Sequence, residues 1–382
     1  MNNRNVKNSL LMAVYGQINS DGRVLRSIEA LKDKFDITVF GSVSDENFSL
    51  KGVEVARYKY RLAFYSRLID HILFHFKFVF RALRTRPSII YVHDYYLSAL
   101  GVIAGRMCGA KIIYDAHELI IDSDYHESKR NWFYAQLEKR AIKKYDLVIS
   151  ANDERATQLI DFYNLNQVQV VSVKNIPGKS VHDGTVNFLK LKKLYPFLNK
   201  DKKYIIYQGV VNPARDLENI LDPLSQLKEY DILIVGDGLK KYYDSLVSKY
   251  ENNSNIHFVG KVNLHTLYSF IKISFCGIIS YSMQNLNNKY CAPNKLYEYA
   301  QFNLKMLTTN QVLFEKTFQK FPFGMILSAN TSKKKIDLFL SEKINDNIFE
   351  DFRIKNSNII EMEKLLSKVL AIIKYTQPNI TK

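Results

Sequence analysis

"KYIIYQGVVNPARDLENIL", residues 203–221, reads as a strand, a glycine-containing turn and a helix in immediate succession. The first segment is a short run of β-branched and aromatic residues, as a buried strand requires. Gly209 and Pro213 punctuate the turn, and Arg215 stands just before the helix begins. The same rhythm continues downstream through "YDILIVGDG", "LKKYYDSLVSKY", "NIHFVGKV", "LHTLYSFI", "FCGIISY", "PNKLYEYAQ" and "LKMLTTN". Upstream it runs through "SLLMAVYG", "GRVLRSIEALKDKF", "DITVFG", "SIIYVHD", "YYLSALGVIAGRMCG", "KIIYDAHE" and "DLVISAN". Alternating strands and helices predict parallel sheets covered by helices on both faces. The fold class expected is α/β, with two doubly wound domains.

The pattern lapses where "NIPGKSVHDG" and the lysine-rich "LKLKKLYPFLNKDKK" follow one another. A linker is expected there. The expected division is an N-terminal domain 1–175, a linker 176–203, a C-terminal domain 204–355 and a final helix 356–382 packing back toward the N-terminal domain. Ligands of open α/β sheets bind at the carboxyl ends of the strands. The two domains are expected to face one another across a cleft at those ends.

The chain has 382 residues, enough for two cores. With 47% hydrophobic and 24% charged residues it is globular, not disordered. It has no run of apolar residues long enough to span a bilayer. The first residues, "MNNRNVKNSLLMAVYG", read as a first strand and not as a signal peptide. Three cysteines, Cys108, Cys276 and Cys291, have neither metal spacing nor an even disulfide set, which favours free thiols in a reducing compartment. A cytoplasmic location follows as an expectation.

The net charge of +16 favours an anionic partner. Part of the excess is local: residues 57–86 hold eight Lys/Arg and one Asp, interleaved with apolar residues at helical spacing. Such a helix either packs into the core with a solvated basic side or lies on an anionic membrane surface.

"CAPNKLYEYAQ", residues 291–301, concentrates the chemistry. Pro293 fits a first helical turn, and the N–H groups near Asn294, Lys295 and Leu296 then point out of the helix start. With the helix dipole they make an anion site, to which Lys295 adds charge. Glu298 can accept two hydroxyl hydrogen bonds, as from a ribose. Phosphate beside ribose suggests a nucleotide. Arg215 suits bidentate phosphate contact. Gly236-Asp237-Gly238 after a strand permits close backbone approach.

In the order and spacing of these elements the chain resembles a GT-B glycosyltransferase, close to glycosyltransferase family 4 and its "glycosyl transferases group 1" C-terminal domain. The resemblance covers nearly the whole chain. Its N-terminal half carries "DGRV" (Asp21–Val24), "HD" (His93-Asp94) and "YDAHEL" (Tyr114–Leu119). The resemblance implies that Glu298 binds the nucleotide ribose, that Asn294, Lys295 and Leu296 cradle the diphosphate, and that Arg215 meets the donor phosphates. It implies that Gly16 forms a small-residue turn facing the diphosphate and that His117, with Glu118 beside it, lies at the donor sugar. Catalytic roles are thus expected for His117, Glu118 and Arg215, and donor binding for Gly16, Arg215, Gly236, Asp237, Asn294, Lys295, Leu296 and Glu298.

Three positions depart from the family pattern. Tyr290 stands where the family has the first glutamate of a pair spaced eight apart. The lysine usual after the arginine is missing, and Lys295 is its substitute. "FNLKML" replaces the usual Gly and Pro after the glutamate helix, leaving Asn303 to take the left-handed cap.

The resemblance implies retaining transfer without a divalent metal, the leaving phosphate oxygen taking the acceptor's proton. No cofactor is expected beyond a UDP- or GDP-linked sugar as substrate. The acceptor expected is a glycan, lipid-linked at the inner membrane face, in surface polysaccharide synthesis. Asp122-Ser123-Asp124 has the form of a D-x-D metal motif but sits on a polar loop, where solvated charge is its ordinary meaning. The rival readings are a GT-B nucleotide-sugar epimerase and a catalytically degenerate protein binding an anionic ligand or nucleic acid. No nucleic-acid recognition module is found.

Overall fold

The computed structural model describes residues 7–59, 67–121, 129–178, 187–328 and 331–374. The chain divides into two compact units. The first comprises Met1–Asn175 with Asn358–Lys382, and the second Ile176–Ser357.

The first unit holds strands β1 (Asn8–Gln17), β2 (Phe35–Ser42), β3 (Glu54–Arg57), β4 (Ile89–His93), β5 (Lys111–Ala116), β6 (Leu147–Ser150) and β7 (Gln169–Ser172). They form one sheet in the order β3-β2-β1-β4-β5-β6-β7, and every ladder is parallel. In register, Leu10 pairs with Ile37 on one side and Ile89 on the other. Leu10 through Val14 are buried without alternation. Helices cover both faces, so a solvent-facing row has no place in these strands.

The second unit holds β8 (Lys203–Gln208), β9 (Tyr230–Val235), β10 (Ile256–Gly260), β11 (Ser274–Ile279), β12 (Lys305–Thr308) and β13 (Gly324–Ile326). Their order is β10-β9-β8-β11-β12-β13, again all parallel. Both sheets reverse their winding direction once, between β1 and β4 in the first and between β8 and β11 in the second. Loops leave such a pair on opposite faces and open a crevice at the carboxyl ends.

The segment expected as a linker is part of the second unit. Residues Phe188–Leu194 form a helix capped by the Asn187 side chain, and Leu191 and Leu198 are buried in a core with Tyr204, Ile206 and Phe270. Its lysines face solvent, and Leu191 anchors it.

The final helix, Asn358–Lys374, joins the core of the first unit. Leu365, Val369 and Ile372 are buried with Leu10, Val24 and Ile28. The Glu361 carboxylate accepts a hydrogen bond from the Lys174 amide at 2.9 Å, which ties this helix to the end of β7.

Candidate functional site

Two groups of polar residues lie at the two switch points, one in each unit. In the second unit, Gln208 ends β8 and Tyr281 follows β11, while the helix Asn294–Gln301 begins beside them. An open pocket of about 740 Å³ is lined by Gln208, Gly209, Tyr281, Asn294, Lys295 and Glu298, among others.

The helix starts as its sequence dictates. Pro293, at the N-cap, is extended (ψ 131°) and supplies no side-chain cap. Asn294 and Lys295 line the pocket at the first turn, where N–H groups have no partner within the helix. The Leu296 amide instead donates to the Pro293 carbonyl at 3.2 Å, and its side chain is buried in the core. The Leu296 side chain thus holds the helix start in place. At the other end Asn303 takes the left-handed conformation (φ 56°), the cap expected in place of glycine.

Glu298 is fixed by a neighbour that the helix pattern does not reveal. Buried Gln208 donates from Nε2 to Glu298 Oε2 at 2.6 Å. The carboxylate is thus oriented from the end of β8.

The cations share aromatic rings. Arg215 Cζ lies 4.2 Å from the centroid of Tyr281. Lys295 Nζ lies 5.6 Å from the same ring and 5.5 Å from that of Tyr207. Gly209 makes the room: its φ is +129°, and a Cβ there would meet Lys295 Nζ at 2.9 Å. Arg215 Nε is buried with no hydrogen-bond acceptor among the described residues. Burial pushes the Lys295 ammonium down to about 8; adjacent Arg215 adds to this and Glu298 opposes it. Two cations held together with one guanidinium nitrogen unpaired make a site that an anion would relieve.

Gly236 and Asp237 pack against the neighbouring loop. Gly236 has φ +144°, and a Cβ would lie 2.0 Å from the Gly209 carbonyl oxygen. The Asp237 carbonyl accepts the Val211 amide at 2.9 Å. The close approach is that of one loop backbone to another. These residues shape the loop that carries Arg215 and do not line the pocket.

The site in the first unit centres on a buried ion pair. Arg23 reaches Asp115 through Nε at 2.7 Å and a terminal nitrogen at 2.6 Å. Tyr91 donates to the other carboxylate oxygen at 3.0 Å. His93 Nδ1 lies 3.4 Å from that oxygen and 3.1 Å from His117 Nε2. Asp21 caps the helix Gly22–Leu31 through the Arg23 and Val24 amides and lies 3.9 Å from His117 Nδ1. So "DGRV", "HD" and "YDAHEL" converge on one network.

Burial works to raise Asp115, yet Arg23 and the His93 hydrogen bond hold it well below the usual carboxylate range. Burial pushes His117 down to about 4 against the pull of Asp115, with His93 adding to the fall. His117 is therefore neutral at physiological pH and meets His93 through its Nε2.

His93, Asp115 and His117 offer ligand atoms within 4.8 Å of one another. A dication there would meet the Arg23 guanidinium already bound to Asp115, so this donor set suits a proton network better than a metal. The Asp122–Asp124 motif lies outside the described residues.

Asp94 has φ +66° at the carboxyl end of β4 and caps the turn Tyr95–Leu97. Such strain in a non-glycine residue gathers at functional sites. Glu118 is half-buried directly after His117. Gly16 lies near the end of β1, and a side chain there would meet only Val14 Cγ2, at 3.8 Å. Packing within the protein does not demand a glycine at that position. Tyr290 is half-buried and ends the short helix Leu286–Lys289.

Residues 24–175 match the family described as glycosyl transferase 4-like domain, and residues 195–356 that of the glycosyl transferases group 1. No curated protein matches the chain in sequence. Among solved structures, sucrose-phosphate synthase of Thermosynechococcus elongatus has a TM-score of 0.70 at 13% identity, with 97% of this chain and 98% of that one covered. HepE of Anabaena, solved in complex with UDP, has a TM-score of 0.63 at 15% identity, over 97% of this chain and 98% of that one. A glycosyltransferase of Rickettsia africae has a TM-score of 0.68 at 16% identity, over 98% of this chain and 99% of that one. Likeness at these identities gives the fold, which is GT-B with two Rossmann-like domains. The two family matches fall one on each unit, and the chain belongs to the group 1, family 4-like GT-B glycosyltransferases.

Proposed function

We propose that the protein transfers a sugar from a nucleotide-sugar donor, UDP-linked in the first instance, to a glycan acceptor. The observation that carries this reading is the pocket at the start of the helix Asn294–Gln301. It joins the first-turn residues Asn294 and Lys295 to a carboxylate, Glu298, oriented by Gln208. Arg215 and Lys295 add two cations at the Tyr281 ring. A pyrophosphate satisfies the amides and cations, and a ribose satisfies the carboxylate. HepE, of the same fold, was solved with UDP.

In this reading the second unit binds the nucleotide and the first the acceptor. As the glycosidic bond breaks, charge builds on the departing diphosphate. Arg215, Lys295 and the helix start are preorganised toward that charge, and this is the main source of rate. The reaction retains anomeric configuration, and the leaving phosphate oxygen takes the acceptor hydroxyl's proton. No enzyme nucleophile or divalent metal enters. The neutral His117 supplies a hydrogen bond at the donor sugar. The acceptor is lipid-linked, and the role is in surface polysaccharide synthesis at the inner membrane face.

A thermal-shift panel of UDP-, GDP-, ADP- and dTDP-sugars tests this. One nucleotide raises the melting temperature by mass action, and Glu298→Ala abolishes the rise. Absence of any shift, or a shift unchanged in the variant, overturns the reading.

A further inference from the structure

The helix Arg67–Thr85 is apolar on two opposite sides. Phe74, Phe78 and Ala82 are fully buried on one of them. On the other, Ile69, Ile72, Phe76, Phe80 and Leu83 are all exposed, Phe76 by 67% and Ile72 by 58%. Their spacing of three and four residues sets them in one stripe. At 1.5 Å per residue the stripe is about 20 Å long. The helix Ser98–Cys108 packs beside this one, and the helix Lys129–Ala141 packs beside that in turn. They carry further exposed apolar side chains, Ile103, Met107, Trp132 and Phe133. Scattered apolar residues on a surface are ordinary, but a continuous stripe of this size marks an interaction surface.

The charges around the stripe indicate what covers it. At 100° per residue, Lys77 and Arg84 fall along one edge of the stripe, and Arg81 lies a step further round. Arg81 pairs with Glu54 at 3.1 Å. Lys129 and Arg130 are exposed at the start of the third helix. The one acidic residue of the helix, Asp70, is buried. A second copy of the chain would bring basic rim against basic rim, and the whole molecule carries +16. An apolar stripe with a basic rim fits an anionic bilayer. Among the described residues no helix is long and apolar enough to cross a membrane.

We propose that this face seats the protein on an anionic phospholipid surface. Ile72, Phe76 and Phe80 enter the headgroup boundary, while Lys77 and Arg84 meet lipid phosphates. The proposal deepens the reading of a lipid-linked acceptor and rests on it for its purpose, although the contact itself is read from the stripe alone.

Flotation of the full chain with vesicles of phosphatidylglycerol and phosphatidylcholine, against phosphatidylcholine alone, tests it. The chain floats with the anionic vesicles at low salt and is released at high salt. Phe76→Ser with Phe80→Ser weakens partitioning by about tenfold or more, since each ring loses its apolar transfer. Lys77→Gln with Arg84→Gln weakens it by about fivefold per charge. Phe76 and Phe80 are exposed, so the Phe pair keeps the wild-type melting temperature. Lys77 also lies 5.1 Å from the ring of buried Tyr58, so the charge pair is read against its own melting temperature, and both pairs keep the wild-type nucleotide shift. Flotation unaffected by the Phe pair overturns the proposal, as does failure to float at low salt. A dimer in light scattering that the Phe pair disperses also overturns it, by assigning the stripe to a second copy. Loss of the nucleotide shift with flotation intact counts against the proposed function and leaves the docking face standing.

Discussion

Gln208 and Glu298 lie ninety positions apart in the chain and meet at 2.6 Å, amide nitrogen to carboxylate oxygen. One ends a strand and the other sits in the second turn of a helix. The contact sets one carboxylate oxygen against the protein. Glu298→Ala is expected to weaken UDP binding by about 10- to 100-fold, the worth of hydrogen bonds to a charged acceptor. Gln208→Leu keeps the carboxylate but frees its rotamer, and costs less, roughly fivefold. Isothermal titration with UDP ranks the two; a larger loss from the glutamine would contradict this division of labour.

Lys295 gives the donor site its pH dependence. Burial and Arg215 hold the ammonium at about 8 in the free protein, below its ordinary value of 10.5. A bound diphosphate raises it again, so binding takes up a proton above pH 8. UDP affinity is therefore expected to fall as pH rises through 8, and Lys295→Met to be weaker but flat over that range. The free protein shows the converse. A lowered lysine pKa makes the folded state bind fewer protons than the unfolded chain between about 8 and 10.5, so this group favours folding as pH rises there.

Tyr281 is expected to act as a positioning residue. Its ring meets both Arg215 and Lys295. Tyr281→Leu removes that face while keeping most of the apolar volume. Cation–π contacts of about 0.5–2 kcal/mol predict UDP binding weakened by roughly 3- to 30-fold, with little change in melting temperature. An unchanged affinity would show that the cations are placed by other contacts.

The Arg23–Asp115 pair is predicted to be costly to break from one side. Both side chains are buried, and Arg23→Met leaves an uncompensated carboxylate, worth about 3–5 kcal/mol in denaturant unfolding. Arg23→Met with Asp115→Leu recovers much of that loss. A single variant as stable as wild type would mean that water reaches the carboxylate.

Glu138 ties stability to pH in the opposite sense from a salt-bridged acid. It is fully buried, accepts from Tyr163 at 2.5 Å and from Tyr114, and burial pushes it up to about 7 from an ordinary 4.5. The folded state then holds a proton that the unfolded chain has lost. Stability is expected to fall as pH rises from about 4.5 to 7, by roughly 3 kcal/mol. Glu138→Gln removes that slope, as unfolding at pH 5 and pH 8 can show.

The fold was legible because parallel strands buried on both faces are unbroken apolar runs, as in "KYIIYQ" and "DILIV". The helix start at Asn294 was legible for a local reason, since Pro293, Lys295 and Glu298 lie within two turns. Gln208 and Tyr281 were not, because the adjacency of β8 and β11 brings them there and no spacing records it. The Gly236–Gly238 pair announces a close backbone approach, but sequence does not say that the Gly209 backbone is what approaches. Leu191 and Leu198 were hidden among lysines, and so a packed helix read as a linker. In residues 57–86 the apolar period was plain, but a helix apolar on two sides does not declare which one faces the core.

The central claim is that the start of the helix Asn294–Gln301 receives a sugar nucleotide's pyrophosphate while Glu298 holds its ribose. The direct measurement is a crystal structure of the protein with a UDP-sugar. Phosphate oxygens are expected at the Asn294 and Lys295 amides and at Arg215, and ribose hydroxyls at Glu298. A nucleotide bound elsewhere, with this pocket empty or closed, would contradict it.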